Sequence, residues 1–217
     1  MVTNYHTVRG YGQAELEINK SRFIAYVDRV ETEEAALAFI EKIRKNHWDA
    51  THNCAAYITG EHDRLQKADD DGEPSGTAGR PILEVIKKSA LSTTVVVITR
   101  YFGGIKLGAG GLVRAYGKST TAGLAAAGIV ERQLHTRIAA CFDYTLLGTV
   151  ENNLRNQQVQ IVDKLFTDQV TVIALAPTGQ ENILETKLTD WTSGRVSLTQ
   201  TGHEYVETSV RLPGLNG

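Results

Sequence analysis

Cysteine is scarce. Cys54 and Cys141 are the only two in 217 residues, and they lie far apart. A disulfide framework is therefore excluded as an organising device, and a reducing cytoplasm is the expected compartment. Long apolar runs are missing as well. None approaches the roughly 20 residues that a membrane-spanning helix needs, so no membrane partner is expected. The opening Met1-Val2-Thr3-Asn4-Tyr5-His6 lacks the basic-then-apolar order of a signal peptide. There is also no large surplus of either charge. A formal net charge of −2 excludes a globally basic nucleic-acid binder. With 41% hydrophobic and 22% charged residues the chain has the make-up of a globular protein. Its length fits one large domain or two small ones.

The charge is unevenly placed. Between Pro74 and Lys118 stand Arg80, Lys87, Lys88, Arg100, Lys106, Arg114 and Lys118 against a single acid, Glu84. Residues 136–217 hold six cations and nine acids. A local basic surface on the first part of the chain follows if those cations share a face. The plainer reading scatters them over a solvated exterior.

Hydrophobic periodicity gives the elements. Tyr11–Ile18 and Arg22–Val30 read as strands joined by a tight turn. Thr32–Asn46 reads as a helix, with Glu33 and Glu34 in its first turn and Lys42, Arg44 and Lys45 in its last, as the helix dipole favours. Its apolar stripe is Leu37, Ile40 and Ile43. Thr51–Thr59 is a strand and Glu61–Gly79 a polar loop. Pro81 opens a helix that buries Ile82, Val85, Ile86 and Ala90. Thr93–Thr99 is too apolar for a one-sided strand and is expected to be covered on both faces. Leu112–Ile129 is a helix whose alanines and glycines let it lie close to a sheet. From Leu134 the order is strand, helix, strand, strand, helix, strand, that of a ferredoxin-like sandwich. Residues 1–133 and 134–217 form the two expected domains, and Pro213–Gly217 is an expected frayed tail.

Two constellations carry chemistry. The first is acidic and turn-rich: Asp69-Asp70-Asp71-Gly72-Glu73-Pro74-Ser75-Gly76-Thr77. An EF-hand is excluded, because setting Gly72 at the sixth loop position puts Lys67 at the first. These residue types also build turns and helix caps, so no metal is expected. The second runs Arg100-Tyr101-Phe102-Gly103-Gly104-Ile105-Lys106-Leu107-Gly108-Ala109-Gly110-Gly111. Backbone N–H groups at a helix start bind anions, and Lys106 and Arg114 add charge. The competing reading is a tight strand-to-helix crossover. Gly117-Lys118-Ser119 is not a P-loop, since the required earlier glycine falls on Leu112. A Rossmann GxGxxG is also absent after Thr99. Leu107-Gly108-Ala109-Gly110-Gly111 has a short likeness to the phosphate loop of small-molecule kinases. His52 and Cys54 share a strand face by period two, without a third orienting group for catalysis. Tyr101 is expected to be exposed for stacking and Phe102 buried.

The stretches Asp70–Gly79 and Thr99–Gly108 resemble the signatures of the IMPACT/YigZ family. Ser21-Arg22-Phe23-Ile24 and Ala50–Tyr57 match weaker family blocks. The resemblance implies an α+β protein. Its first domain would be an α/β fold like the second domain of a small-subunit ribosomal protein, with a left-handed βαβ crossover. Its second would be ferredoxin-like. The tandem would look like the fourth and fifth domains of elongation factor G. Eukaryotic relatives regulate translation through a protein partner, using an accessory domain that this chain lacks. The resemblance brings no catalytic residue and no cofactor.

The sequence thus points to a cytoplasmic, non-enzymatic protein that binds RNA or the ribosome and is linked to the regulation of translation. Arg80, Arg100, Tyr101, Gly103, Gly104, Lys106, Gly108, Gly110 and Arg114 are the expected anion contacts. Asp70, Asp71, Gly72, Glu73, Pro74, Ser75, Gly76 and Thr77 form the expected recognition loop. Two alternatives stay open. One is an enzyme on a phosphorylated small molecule with Asp70 or Asp71 as base, and the other is a protein-interaction module.

Overall fold

The computed structural model describes residues 2–211. In chain order the elements are β1 (Asn4–Val8), β2 (Gly12–Ile18), β3 (Ser21–Arg29), α1 (Glu33–Asn46), β4 (His52–Thr59) and β5 (Leu65–Asp69). Then follow α2 (Gly79–Lys88), β6 (Thr94–Tyr101), α3 (Gly108–Ala127), β7 (Ile129–Phe142) and α4 (Leu147–Asn156). The last are β8 (Ile161–Phe166), β9 (Val170–Pro177), α5 (Glu181–Trp191) and β10 (Ser197–Ser209). The architecture is α+β. The chain divides into two compact units. One comprises Met1–Arg132 and the chain from Thr208 onward, the other Gln133–Glu207. The tail Pro213–Gly217 lies outside the described residues. Among those residues no helix is long and apolar enough to cross a membrane.

The first unit is built on an antiparallel sheet of order β2-β3-β6-β4-β5. β6 is central and its residues 94–100 are buried. Val96 and Ile98 enter one core with Ile82 and Ile86 of α2 and Leu112, Tyr116 and Leu124 of α3. Val95 and Val97 enter the other with Ala36, Ile40 and Ile43 of α1. The strand is therefore covered on both faces, as its continuous apolar run requires. Each fully buried Val or Ile contributes about 1.5–3 kcal/mol, which makes this strand the anchor of the unit.

Local chemistry sets the helix ends. Thr32 caps α1, its hydroxyl accepting from Ala35 N at 3.2 Å. The buried stripe of α1 is Ala36, Ile40 and Ile43, not Leu37, which is half exposed. Ala36 is the small residue that faces the sheet, and Leu37 is turned outward beside it. α2 begins at Gly79, two residues before the expected Pro81; a proline anywhere in the first turn forfeits no helical hydrogen bond. Val85 is only partly buried, and Ala90 lies beyond the helix and is exposed. α3 begins at Gly108, not Leu112, so three glycines expected in a loop form its first turn. Gly123 lets α3 lie on β3. A Cβ there would stand 2.8 Å from Ala25 Cβ and 2.9 Å from Val27 Cγ2. β5 was expected as loop because all five residues are exposed and show no alternation.

The second unit has the βαββαβ order, with strand order β10-β7-β9-β8. β9 is antiparallel to both its neighbours. Alternate residues Ile138, Ala140 and Phe142 of β7 and Val170, Val172, Ala174 and Ala176 of β9 meet Val150 and Leu154 of α4 and Leu184 and Leu188 of α5. The segment expected as one long or two short strands is one, β10.

Gly123→Ala should destabilise the protein by about 1–3 kcal/mol, the usual penalty for overpacking. Gly148→Ala, in α4 with open space around it, should stabilise by up to about 1 kcal/mol. Urea unfolding of both variants against the parent checks the pair.

Candidate functional site at the head of helix α3

The acidic stretch is consumed by its own loop. Asp70 Oδ2 accepts from Gly76 N at 2.7 Å, and Asp70 Oδ1 from Ala78 N at 3.0 Å and Gly79 N at 2.8 Å. Its carboxylate thereby closes the loop and caps α2, whose N-terminus favours negative charge. Asp71 Oδ2 accepts from Asn53 N at 2.6 Å, and Arg44 Nη2 pairs with Asp69 at 2.6 Å and Asp71 at 3.5 Å. Burial alone raises the Asp69 pKa, but the Asp71 N–H and the Arg44 guanidinium outweigh it and hold the carboxyl below its ordinary value. Asp70 and Asp71 are thus both engaged in holding the loop. Among the described residues no group of three or more His, Cys, Asp or Glu is placed to hold a metal.

Glu73 turns inward. Its side chain is 3% exposed, and Oε1 accepts from Arg100 Nη1 at 2.6 Å and Tyr116 Oη at 2.8 Å. Oε2 lies 3.8 Å from His52 Nε2. Arg100 is therefore not the surface cation expected from sequence. It is 5% exposed, and its guanidinium carbon lies 5.4 Å from the Phe23 ring centroid and 5.6 Å from that of Phe102. Residues 94–100 of β6 are all buried, so a residue at the end of this doubly covered strand is enclosed whichever face it takes, and Glu73 supplies the counter-charge of Arg100.

His52 and Cys54 do share a strand face, and together they hold the loop. His52 Nδ1 donates to the Asp71 carbonyl oxygen at 2.7 Å, and Cys54 Sγ donates to that of Asp70 at 3.0 Å. Burial pushes the Cys54 thiol well above its ordinary pKa and does the same to the Tyr116 phenol. Sequence reasoning missed this clamp. The signal for it was the period-two spacing itself, read without knowing which loop lay opposite.

The two aromatics exchange roles. Tyr101 is half-buried, its hydroxyl 2.9 Å from His47 Nδ1 and donating to Asp49 Oδ1 at 3.1 Å. Phe102, expected in the core, is 47% exposed. Phe102 follows the last strand residue, so it projects away from the core side that Tyr101 packs against.

The glycines divide by task. A Cβ on Gly103 would meet Lys20 O at 1.9 Å, so this glycine serves close packing against the β2–β3 turn. Gly104 and Gly108 have φ of 86° and 69°, which steer the chain into α3. Gly110 sits in the helix's first turn. The N–H groups of Gly108, Ala109 and Gly110 have no hydrogen-bond partner among the described residues, and no acid stands in that turn.

The acidic and glycine-rich stretches meet here. A cavity of about 390 Å³ is lined by Glu73 and Pro74 from one and by Arg100, Phe102 and residues 106–109 from the other, with Thr51, His52 and Leu112. Two further hollows flank α3. One, of about 450 Å³, carries Arg80, Lys88 and Glu84, and the other, of about 260 Å³, carries Arg114 and Lys118. Ser75 and Gly72 are exposed on the loop, while Thr77 is buried and donates to Pro74 O at 2.6 Å.

Models of known families match both parts of the chain. The Impact N-terminal domain covers residues 19–124, which include every residue of the cavity, and a domain of unknown function (DUF1949) covers 142–195. Over 210 residues the chain is 48% identical to the IMPACT family member YvyE of Bacillus subtilis (strain 168), covering 97% of each. The chain belongs to the IMPACT family. The IMPACT family member YigZ of Escherichia coli (strain K12) is 37% identical over 191 residues, 84% of this chain and 90% of that one. A solved structure described as a hypothetical protein is 31% identical with a TM-score of 0.59, covering 93% of this chain and 98% of its own.

In this IMPACT-family protein, Glu73→Gln should destabilise by about 3 kcal/mol, because it strands the buried Arg100 charge. Adding Arg100→Met should recover part of that loss in urea unfolding. Under native conditions near neutral pH a thiol reagent should modify Cys141, which is partly exposed, and leave Cys54 untouched until the protein unfolds.

Proposed function

We propose that the protein is a non-enzymatic, cytoplasmic protein that binds RNA, free or on the ribosome, and is linked to the regulation of translation. It engages phosphates through the surface around the first half of α3. The observation that carries the reading is the grouping of Arg80, Lys88, Lys106, Arg114 and Lys118 along the three hollows that adjoin this helix, against the acids Glu84 and the already paired Glu73. These five side chains are exposed. Membership of the IMPACT family supports the tie to translation, since the resemblance implies a first domain like a ribosomal-protein domain and a tandem like domains of elongation factor G.

The roles narrow accordingly. Lys106 and Arg114 are the principal phosphate contacts, with Arg80 and Lys118 beside them. Arg100 and Glu73 fix the wall of the site instead of meeting the backbone of the RNA. A cation that contacts a phosphate of a single strand contributes about 0.7 to the dependence of log K on log salt.

Anisotropy titrations of a labelled single-stranded RNA at several salt concentrations test this. Lys106→Ala and Arg114→Ala should each weaken binding and each lower the salt slope by about 0.7. Unchanged affinity and unchanged slope in both variants would remove the assignment.

A further inference from the structure

The hollow at the head of α3 holds more than a phosphate-binding surface needs. Beside Lys106 its wall is apolar, with Pro74, Leu107 and Leu112. Phe102 stands there 47% exposed, although a ring of that size ordinarily seeks burial. One face of this ring is taken by the Arg100 guanidinium, 5.6 Å from its centroid. Phe102 N donates to Thr51 Oγ1 at 3.0 Å, which fixes the backbone that carries it. The ring is therefore held in place and left open, the state of a stacking platform.

The polar side of the hollow points to an anion. The N–H groups of Gly108, Ala109 and Gly110 have no hydrogen-bond partner among the described residues. The carboxylate in the lining, Glu73, is neutralised by Arg100 at 2.6 Å. The net charge presented is that of Lys106. A flat apolar platform next to an anion-binding helix start matches a base and its phosphate.

We propose that this cavity takes one unstacked nucleotide of single-stranded RNA, with its base on Phe102 and its phosphate at Lys106 and the start of α3. This rests on the RNA reading above and adds to it a preference for single strands over duplexes, whose bases are stacked out of reach. The volume of about 390 Å³ is in the range of sites for small ligands.

The test compares a single-stranded decamer with a duplex of equal length, using the full chain, Phe102→Ala and Ala109→Leu. Ala109→Leu fills the hollow from an exposed helix position, so it reports on the site even if Phe102→Ala folds poorly. Both variants should bind the single strand about tenfold more weakly and the duplex as before, with the single-strand salt slope unchanged in Phe102→Ala, which leaves Lys106 and the helix start open. Adenosine monophosphate should compete with the single strand on the parent protein but not on Phe102→Ala. If the parent binds RNA and both variants bind single strands normally, or lose single strand and duplex alike, the nucleotide cavity is overturned and the RNA reading stands. If the parent binds neither RNA, both fall.

Discussion

The ion pair between Glu73 and Arg100 is the constraint on which the rest of the site depends. It joins an irregular loop to the end of the central strand of the first unit, and both partners are nearly without solvent. A buried pair of this kind is a poor source of stability, because desolvating two charges offsets most of their attraction. Its effect is on conformation. The loop has one place where Glu73 finds its partner, and with Glu73 seated there Pro74 forms a wall of the cavity. Tyr116 donates to the same oxygen, so α3 is registered against the loop by one atom.

The two helices beside the site show opposite solutions at their starts. α2 receives the Asp70 carboxylate on its first backbone groups, so its positive end is occupied by the chain itself. α3 receives nothing comparable. Asp70 therefore keeps the acidic loop folded and occupies the start of α2. The unsatisfied end is next to Lys106.

Much of this was legible in the residues. The β-branched run of β6 announced a strand covered on both faces, and the βαββαβ order of the second unit followed from periodicity. Turn chemistry explained Asp70 and Gly76 in kind, though not which atoms they would bind. What failed was the sidedness of single residues. Arg100 looked like a surface cation because arginine ordinarily is, and only the packing over both faces of β6, with Glu73 turned in against it, shows that it is buried. Phe102 looked like core for the same statistical reason. Tertiary placement decided both, and no local pattern carries it. β5 was invisible because an exposed edge strand has no buried face to leave an alternating trace.

That same strand has a consequence for how the protein behaves in a crowded solution. β5 ends its sheet, so one row of its backbone groups is unmatched and open to a strand from another molecule. It is only five residues long, and it carries Lys67, paired with Glu33 at 3.0 Å, and Asp69, paired with Arg44. A foreign strand docking there would have to desolvate or displace both ion pairs for the sake of a few backbone hydrogen bonds. The charges at this border act as a guard against edge-to-edge aggregation.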